Sequence, residues 1–373
     1  MDVETTIHLK GYPFSYKNNL CLIVIGWNGW SKTFTPDKFH EAKALLESSD
    51  IWIGFNIKFD LHWIRRELGI VPKTVWDCQL AEFLFSDQLW KYPSLDEACA
   101  KRGLPRKLDI VKTEYWEKGI DTPDIPIDIL ESYAVQDRES TYALYQAQCQ
   151  DFEGKHANKF KLFRVHCNDL LVLQEIEFNG ILYMVDESLQ AADELTKKVE
   201  EIDRQLQAFC QVPCISFGSP QQVSKFLYGG TIVEEFRVPI GVFKSGAKEG
   251  QTRYKVMTKE HVLPRLFEPI EGTAMKADGI YSTDEDTLKK LKTSKITKKI
   301  VALLQERVKL EKLNSTYLLG LPKAIKNYDC EDNIIHSNLN QCVVVSGRLS
   351  STKPNIQNLP PEAQNFCVSR YAS

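Results

Sequence analysis

Four carboxylates in the first third of the chain have the residue types and spacing of a metal-binding group. Asp2 and Glu4 lie two residues apart in MDVETT, Asp60 ends IGFNIKFD, and Asp137 ends YAVQD. Carboxylates grouped together resist ionisation unless a cation neutralises them. Their oxygens suit magnesium or manganese, and a pair of such ions can activate water and clamp a phosphate. The four residues therefore predict a two-metal site for phosphate chemistry.

Local periodicity predicts how these side chains are oriented. If residues 2–4 form a strand, Asp2 and Glu4 project from the same face. Asp137 follows Tyr133 by one helical turn, which stacks the two side chains and lets Tyr133 orient a water molecule. Asp60 opens a helix, where a carboxylate can also be a simple cap. Charged residues are mostly solvated, so the prediction depends on the combination of all four.

The elements around the carboxylates alternate between strands and helices. Leu20 to Trp27 is a continuous apolar run typical of a buried strand, and Thr35 with Pro36 has the form of a helix start. A short strand over 51–54, a helix over 60–68 and a long helix over 127–150 follow. This order predicts an α/β domain over residues 1–150.

The remainder of the chain predicts two further domains. Residues 151–330 are mainly helical, with a basic loop near 229–281 in which KSGAKEGQTRYK is a mobile loop or hairpin tip. Residues 331–373 read as strand and ordered loop, because Pro354, Pro360 and Pro361 oppose helix.

Composition narrows the class of protein. A chain of 373 residues with 43% hydrophobic content can bury a full core in two or three domains. We expect a cytoplasmic protein without a membrane partner, because there is neither an apolar run of about 20 residues nor a signal-peptide pattern. The net charge is only −3, yet basic residues dominate between Thr287 and Lys312, which fits either phosphate binding or a solvated helix face.

The cysteines predict reduced thiols rather than a disulfide framework. Ten cysteines are scattered without a repeating spacing. Cys210 and Cys214 form the one close pair, in CQVPC, and no second Cys or His pair lies nearby in the sequence. We therefore interpret this pair as packing rather than as a metal site.

The segments DVETT, GFNIKFD and YAVQD, in this order, resemble the three exonuclease motifs of the DEDDy nucleases. The resemblance implies an RNase H-like fold, a mixed five-stranded sheet with flanking helices, that removes nucleotides from a 3′ end with two Mg²⁺ or Mn²⁺ ions. It also implies that Asn56 lies near the substrate and that Asp77 is structural. The residues implied as metal ligands are Asp2, Glu4, Asp60 and Asp137, with Tyr133 as a further catalytic residue.

The segment SGRLSSTKPNIQNLP, residues 346–360, resembles the signature of family A DNA polymerases. Four upstream segments resemble the thumb of that family: FNGI, FGSPQQVSKFL, YSTDEDTLKKL and LLQERVKLEKLNSTYL. The resemblance implies a phage-like proofreading exonuclease followed by a mainly α-helical thumb and the start of a palm, with DNA as the partner and the bacterial or phage-infected host cytoplasm as the location.

Several side chains in these segments have suitable chemistry for duplex DNA. Arg348 offers a rigid fork of donors. The amides of Asn355, Gln357 and Asn358 can bond to minor-groove acceptors, and Lys312 matches a family lysine near the duplex backbone. Such contacts would sense the geometry of a base pair without reading its sequence.

The chain departs from the family where the signature should continue. The sequence ends at FCVSRYAS, ahead of the aspartate-bearing segments of the polymerase site, so we expect exonuclease activity without polymerisation. Two alternatives stay open: a non-catalytic DNA-binding half of a split polymerase that needs a separate C-terminal polypeptide, and an RNase D-like exoribonuclease.

Overall fold

The computed structural model describes residues 1–105, 110–210, 212–246, 249–292 and 294–371. They form two compact units. The first unit comprises residues 1–185 and 321–373, and the second comprises residues 186–320. None of the helices in these ranges combines the length and the apolar character needed to cross a membrane.

Five strands form the sheet framework at the start of the first unit. An antiparallel section has the order β1-β2-β3, and a parallel section pairs β4 with β5. The Met1 amino group donates to the Ile53 carbonyl oxygen at 2.7 Å, which places the start of β1 beside β4. The expected mixed five-stranded sheet is therefore present as two hydrogen-bonded sections, which meet where Met1, just before β1, bonds to Ile53 of β4. The strands are β1 (Asp2–Thr5), β2 (Leu20–Trp27), β3 (Trp30–Phe34), β4 (Trp52–Gly54) and β5 (Val75–Asp77).

Helices pack against these strands around one apolar core. That core includes Ile23, Trp63 and Phe83, each with no exposed surface. Local signals set the helix ends: Gly69, with φ of 69°, ends α2, and the Ser94 hydroxyl accepts from the Glu97 N–H at the start of α4. The helices are α1 (Phe39–Glu47), α2 (Lys58–Leu68), α3 (Cys78–Phe85), α4 (Leu95–Lys101), α5 (Ile110–Glu114), α6 (Ile127–Glu153) and α7 (Phe160–Asn179). The α/β class expected for this part of the chain is confirmed.

The second unit consists of helices and one long β-hairpin. The chain enters it after β6 (Ile181–Tyr183), which belongs to the first unit, and its first helix is α8 (Val185–Gln207). Its other elements are α9 (Pro220–Tyr228), β7 (Gly230–Val242), β8 (Thr252–Leu263), α10 (Glu285–Lys290) and α11 (Lys295–Lys312), followed by a π-helical stretch over Leu313–Leu318.

The hairpin corrects the expectation of an aperiodic basic loop near 229–281. Strands β7 and β8 pair from Gly230 with Leu263 to Val242 with Thr252. Most residues on both faces are exposed, so the strands lack the alternation of apolar and polar residues that normally reveals a strand. The predicted tip falls on the connection between the strands, where residues 247 and 248 lie outside the described residues.

The last segment returns to the first unit. It contains α12 (Gly320–Asn327), β9 (Ile334–Ile335), β10 (Asn338–Asn340), β11 (Ser350–Thr352), α13 (Pro361–Gln364) and β12 (Cys367–Val368). Strand β6 pairs with β9 and β12, and β10 pairs with β11. Helix α13 contradicts the expectation that the prolines exclude helix: Pro361 begins it, at a position where the missing N–H has no partner to lose.

Candidate active site

Strand β1 and helix α6 bring three of the four candidate carboxylates together. One carboxylate oxygen from each of Asp2, Glu4 and Asp137 lies within 4.8 Å of the other two. Asp2 pairs with Val24 and Glu4 with Leu22, so both acidic side chains project from the same face of β1. Glu4 and Asp137 are buried, whereas Asp2 is half-buried. The result is a cluster of three acidic side chains, of which Asp2 is the most exposed.

Asp60, the third residue of α2, is the fourth carboxylate and is only 3% exposed. Burial, followed by the charge of Asp2, raises the pKa of Asp60 well above its ordinary value. Its Oδ1 atom has no hydrogen-bond partner among the described residues. A buried oxygen in this state gains from a cation, so the residues present fit a hard divalent metal ion.

Tyr133 lies one helical turn before Asp137 and is 1% exposed. Burial raises the pKa of its phenol above the ordinary value, and the charge of Asp137 raises it further. The ring meets Trp116 edge-on, with 5.7 Å between centroids. Tyr133 is therefore a protonated hydroxyl at neutral pH, able to donate a hydrogen bond but unable to act as a base.

A turn at residues 121–122 holds the end of β1 and was not singled out from the sequence. Thr122 Oγ1 donates to the Thr5 carbonyl oxygen at 2.6 Å and accepts from Trp116 Nε1 at 3.1 Å. Asp121 Oδ1 accepts from the Ile7 N–H at 2.8 Å. These bonds follow a register irregularity between Glu4 and Thr5. The sequence signal was the DTP triplet, an Asp followed by a proline turn.

Asp77 joins the starts of two helices. Its Oδ2 accepts from the Ile57 N–H at 2.9 Å, and its Oδ1 accepts from the N–H groups of Gln79 and Leu80 at 2.7 and 3.1 Å. Burial raises its pKa to about 6. These bonds fix the loop between β4 and α2, where Asn56 is exposed with φ of 56°. The contacts agree with the structural role expected for Asp77.

A second buried carboxylate, Glu177 of α7, lies on the other side of α2 and has no counterpart in the sequence predictions. Its Oε1 is 2.6 Å from Lys58 Nζ, and its Oε2 is 2.8 Å from His62 Nε2. Burial lowers the pKa of His62, so the ring is neutral and donates to Glu177. Burial alone would raise the pKa of Glu177, but the hydrogen bond from His62 and the charge of Lys58 lower it overall. No local sequence pattern marks this group, because its members come from distant segments.

The candidate DNA-binding residues are exposed and belong to both units. Arg348, Asn355, Gln357 and Asn358 lie around β11 in the last segment of the first unit. Asn355 Oδ1 accepts from the Gln357 N–H at 3.1 Å, which gives this loop a defined local conformation. Lys312 is the last residue of α11 in the second unit.

Comparison with known families matches two parts of the chain. Residues 1–148 match the family described as 3′-5′ exonuclease, and residues 247–370 match DNA polymerase family A. The four candidate metal-binding carboxylates, Asp2, Glu4, Asp60 and Asp137, lie within the first match. The matches agree with an RNase H-like exonuclease domain followed by thumb and palm regions.

Individual relatives are DNA polymerases. The chain is 25% identical to the DNA polymerase of Bacillus phage SP01 over 352 residues, which cover 88% of this chain and 36% of the relative. It is 44% identical to DNA polymerase I of Synechocystis sp. over 80 residues, 21% of this chain and 8% of the relative. The chain thus spans about a third of the length of the phage relative.

A solved structure has a similar fold. It is the POL domain of Pol1 from M. smegmatis in complex with DNA primer-template and dNTP. The TM-score is 0.62 at 16% sequence identity, and the likeness covers 92% of this chain and 50% of that chain.

Proposed function

Because the chain belongs to the family A DNA polymerases, with a 3′-5′ exonuclease domain and a partial polymerase region, we propose that it removes nucleotides from the 3′ ends of DNA by hydrolysis. The observation that carries this proposal is the approach of Asp2, Glu4 and Asp137 to within 4.8 Å of one another. Asp60 adds a fourth buried carboxylate. In the cell this activity would correct errors during DNA replication.

The exonuclease family generally uses divalent metal ions, and we propose that this site holds two Mg²⁺ or Mn²⁺ ions. Asp2, Glu4 and Asp137 would be direct ligands, and Asp60 would hold the second ion. When bound, such ions supply Lewis acidity and a more acidic bound water. The raised pKa of Asp60 and its oxygen without a hydrogen-bond partner support this assignment.

The other residues position the reacting groups. The pairing of β1 with β2 holds Asp2 and Glu4 on one face, and Thr122 holds the end of the strand through Thr5. Tyr133 keeps its proton and so orients an attacking water by donating or sharing a hydrogen bond. Asn56 is exposed in the loop that precedes α2, the helix that carries Asp60, and suits contact with the terminal nucleotide.

We assign duplex DNA binding to Arg348, Asn355, Gln357, Asn358 and Lys312. Their exposure supports the assignment, as does the likeness to a polymerase domain solved with a primer-template. Phosphate contacts by Lys312 would position the duplex, and the amides would contact base edges in the minor groove. The separate C-terminal polypeptide of a split polymerase stays a prediction from the sequence.

The experiment is degradation of a 3′-labelled single DNA strand with Mg²⁺. We expect the double variant Asp2→Ala, Glu4→Ala to be slower by at least about 100-fold, the effect of removing one group that stabilises a transition state. Asp193→Ala removes an exposed carboxylate in the second unit and is the matched control. Degradation by the double variant at the wild-type rate would reject the assignment, and a preference for RNA would favour the exoribonuclease.

A further inference from the structure

We propose that the second unit contains a binding site for a zinc-type divalent transition metal ion, formed by Cys214, Glu234 and His261. One ligand atom from each residue lies within 4.8 Å of the other two. A thiolate sulfur, an imidazole nitrogen and a carboxylate oxygen are the three donor types that bind Zn²⁺ in proteins. This site is independent of the carboxylates in the first unit.

The β-hairpin supplies two of the three donors. Glu234 of β7 pairs with Lys259, and His261 of β8 pairs with Ile232, so Glu234 and His261 are diagonal neighbours on the same face. His261 Nε2 lies 2.8 Å from Glu234 Oε2. The register of the hairpin thus directs an imidazole nitrogen and a carboxylate toward the same point.

The loop after α8 supplies the thiol and is held in place from two sides. Gln207 Nε2 donates to the carbonyl oxygens of Cys210 and Val212, each at 2.7 Å. Val212 and Phe217 are buried in the core of the second unit on either side of Cys214 in the sequence. Cys214 therefore belongs to a packed loop with a defined position.

Exposure of the three side chains suits a bound ion. Cys214 is half-buried, and the side chains of His261 and Glu234 are 13% and 29% exposed. An ion can reach these donors from solvent, while the surrounding residues limit competition from water. From the sequence, Cys210 and Cys214 are interpreted as packing residues. Glu234 and His261, which complete the donor set with Cys214, come from the hairpin and are not close to Cys214 in the sequence.

Donor chemistry selects the type of metal. Thiolate and imidazole favour zinc-type ions, whereas carboxylates alone suit magnesium or manganese. Tetrahedral coordination at about 2.0–2.3 Å from the ion brings ligand atoms to roughly 3.3–3.8 Å from one another, which needs only a small approach of the present donors. Binding releases the Cys214 thiol proton to solvent as the sulfur–metal bond forms, and the proton between His261 Nε2 and Glu234 Oε2 moves to His261 Nδ1 or to solvent, which frees both atoms to bind the ion. A fourth position would be left for water, and the ion would tie the base of the hairpin to the loop after α8.

The test uses Co²⁺ as a spectroscopic probe of the full chain under reducing conditions. We expect a thiolate-to-Co²⁺ charge-transfer band, saturating at one ion per chain and displaced by Zn²⁺. The carboxylate cluster of the first unit has no sulfur donor, so it cannot produce this band. Cys214→Ser should abolish the band, and His261→Ala should weaken Co²⁺ binding by more than the roughly 10–100-fold typical of losing a supporting partner.

Matched controls are Cys367→Ser and His40→Ala, which alter a half-buried thiol and an exposed imidazole elsewhere and should keep the band. Unchanged far-ultraviolet circular dichroism and exonuclease rate in Cys214→Ser would show that this variant is folded. Absence of the band from the wild-type chain, or its persistence in Cys214→Ser, would overturn the proposal and leave a histidine–glutamate hydrogen bond beside a thiol. Loss of the band says nothing against the exonuclease, and an inactive exonuclease says nothing against this site.

Discussion

Two buried carboxylates of the first unit, Glu177 and Asp60, differ in whether neighbouring groups of the protein provide enough positive charge to stabilise the ionised form. Glu177 is surrounded by donors from Lys58 and His62, which lower its pKa despite burial. For Asp60, burial and the charge of Asp2 outweigh the nearby Met1 amino group and raise the pKa. Burial also lowers the pKa of the Met1 amino group, which weakens it as a cation.

The difference separates a structural charge from a functional one. A carboxylate whose partners come from the chain completes the fold and has no need of a ligand. A buried carboxylate such as Asp60, whose pKa stays raised although the Met1 amino group is near, is stabilised when a cation from solution binds to it. The following expectations test this contrast, from the largest effect to the smallest.

Glu177→Ala should be the most destabilising of these changes. It removes the carboxylate that pairs with Lys58 and leaves His62 buried without this acceptor, and breaking a buried ion pair by removing one partner lowers the free energy of unfolding by about 3–5 kcal/mol. Urea unfolding measures the loss. Glu175→Ala is the matched control, because Glu175 pairs with Arg65 at an exposed position and should change stability by about 1 kcal/mol or less. Equal losses in the two variants would contradict the contrast.

Divalent metal should stabilise the protein through the candidate metal-binding carboxylates and not through Glu177. With Mn²⁺ at about 100 times its dissociation constant, we expect the free energy of unfolding to rise by about 2.7 kcal/mol. The double variant Asp2→Asn, Glu4→Gln should lose this gain, whereas Glu177→Gln should keep it. Unfolding curves with and without Mn²⁺ provide the measurement. A full gain in the double variant would place the ion elsewhere.

Asp60→Asn should stabilise the metal-free protein and impair the exonuclease. It removes a buried carboxylate whose ionisation is disfavoured by burial and by the charge of Asp2, so the free energy of unfolding of the metal-free protein should rise. Asp193→Asn, at an exposed position, should stay within about 0.5 kcal/mol of wild type. A destabilised, fully active Asp60→Asn variant would assign Asp60 a structural role.

The pH dependence of stability should have opposite signs at the two groups. The pKa of Glu177 in the folded protein lies below the ordinary 4.5, so its contribution is present above that pH and is lost as pH falls through the folded value. The pKa of Asp60 lies above the ordinary 3.8, so its contribution is present below that pH and is lost as pH rises toward the folded value.

Metal-free unfolding as a function of pH measures both signs. As pH rises through about 4, the free energy of unfolding of wild type should increase relative to that of Glu177→Gln and decrease relative to that of Asp60→Asn. Parallel slopes would show that the two groups are equivalent.

Much of the first unit could be predicted because its signals are local. The apolar run from Leu20 to Trp27 predicted the strand that is observed with those bounds. The long helix containing Tyr133 and Asp137 was also predicted, and its spacing of one turn places both side chains near the carboxylate cluster.

Features that depend on distant or exposed partners could not be predicted. Strand β3 and the hairpin β7–β8 expose many side chains, so burial leaves no alternating pattern in their sequences. Glu177 meets His62 across 115 positions, and Glu234 meets His261 across 27. No local pattern marks such partners, since tertiary packing alone brings them together.

The bonds around Leu339 have a consequence for hydrogen exchange. Its N–H donates to Glu177 Oε1, and its carbonyl oxygen accepts from Lys58 Nζ, each at 2.5 Å. The three-residue strand β10 is thus tied by side chains to α7 and α2, which lie far away in sequence. The Leu339 amide should therefore exchange only when those helices separate, at a rate close to that of α2, so that this short strand opens together with the helix carrying Asp60 rather than fraying independently.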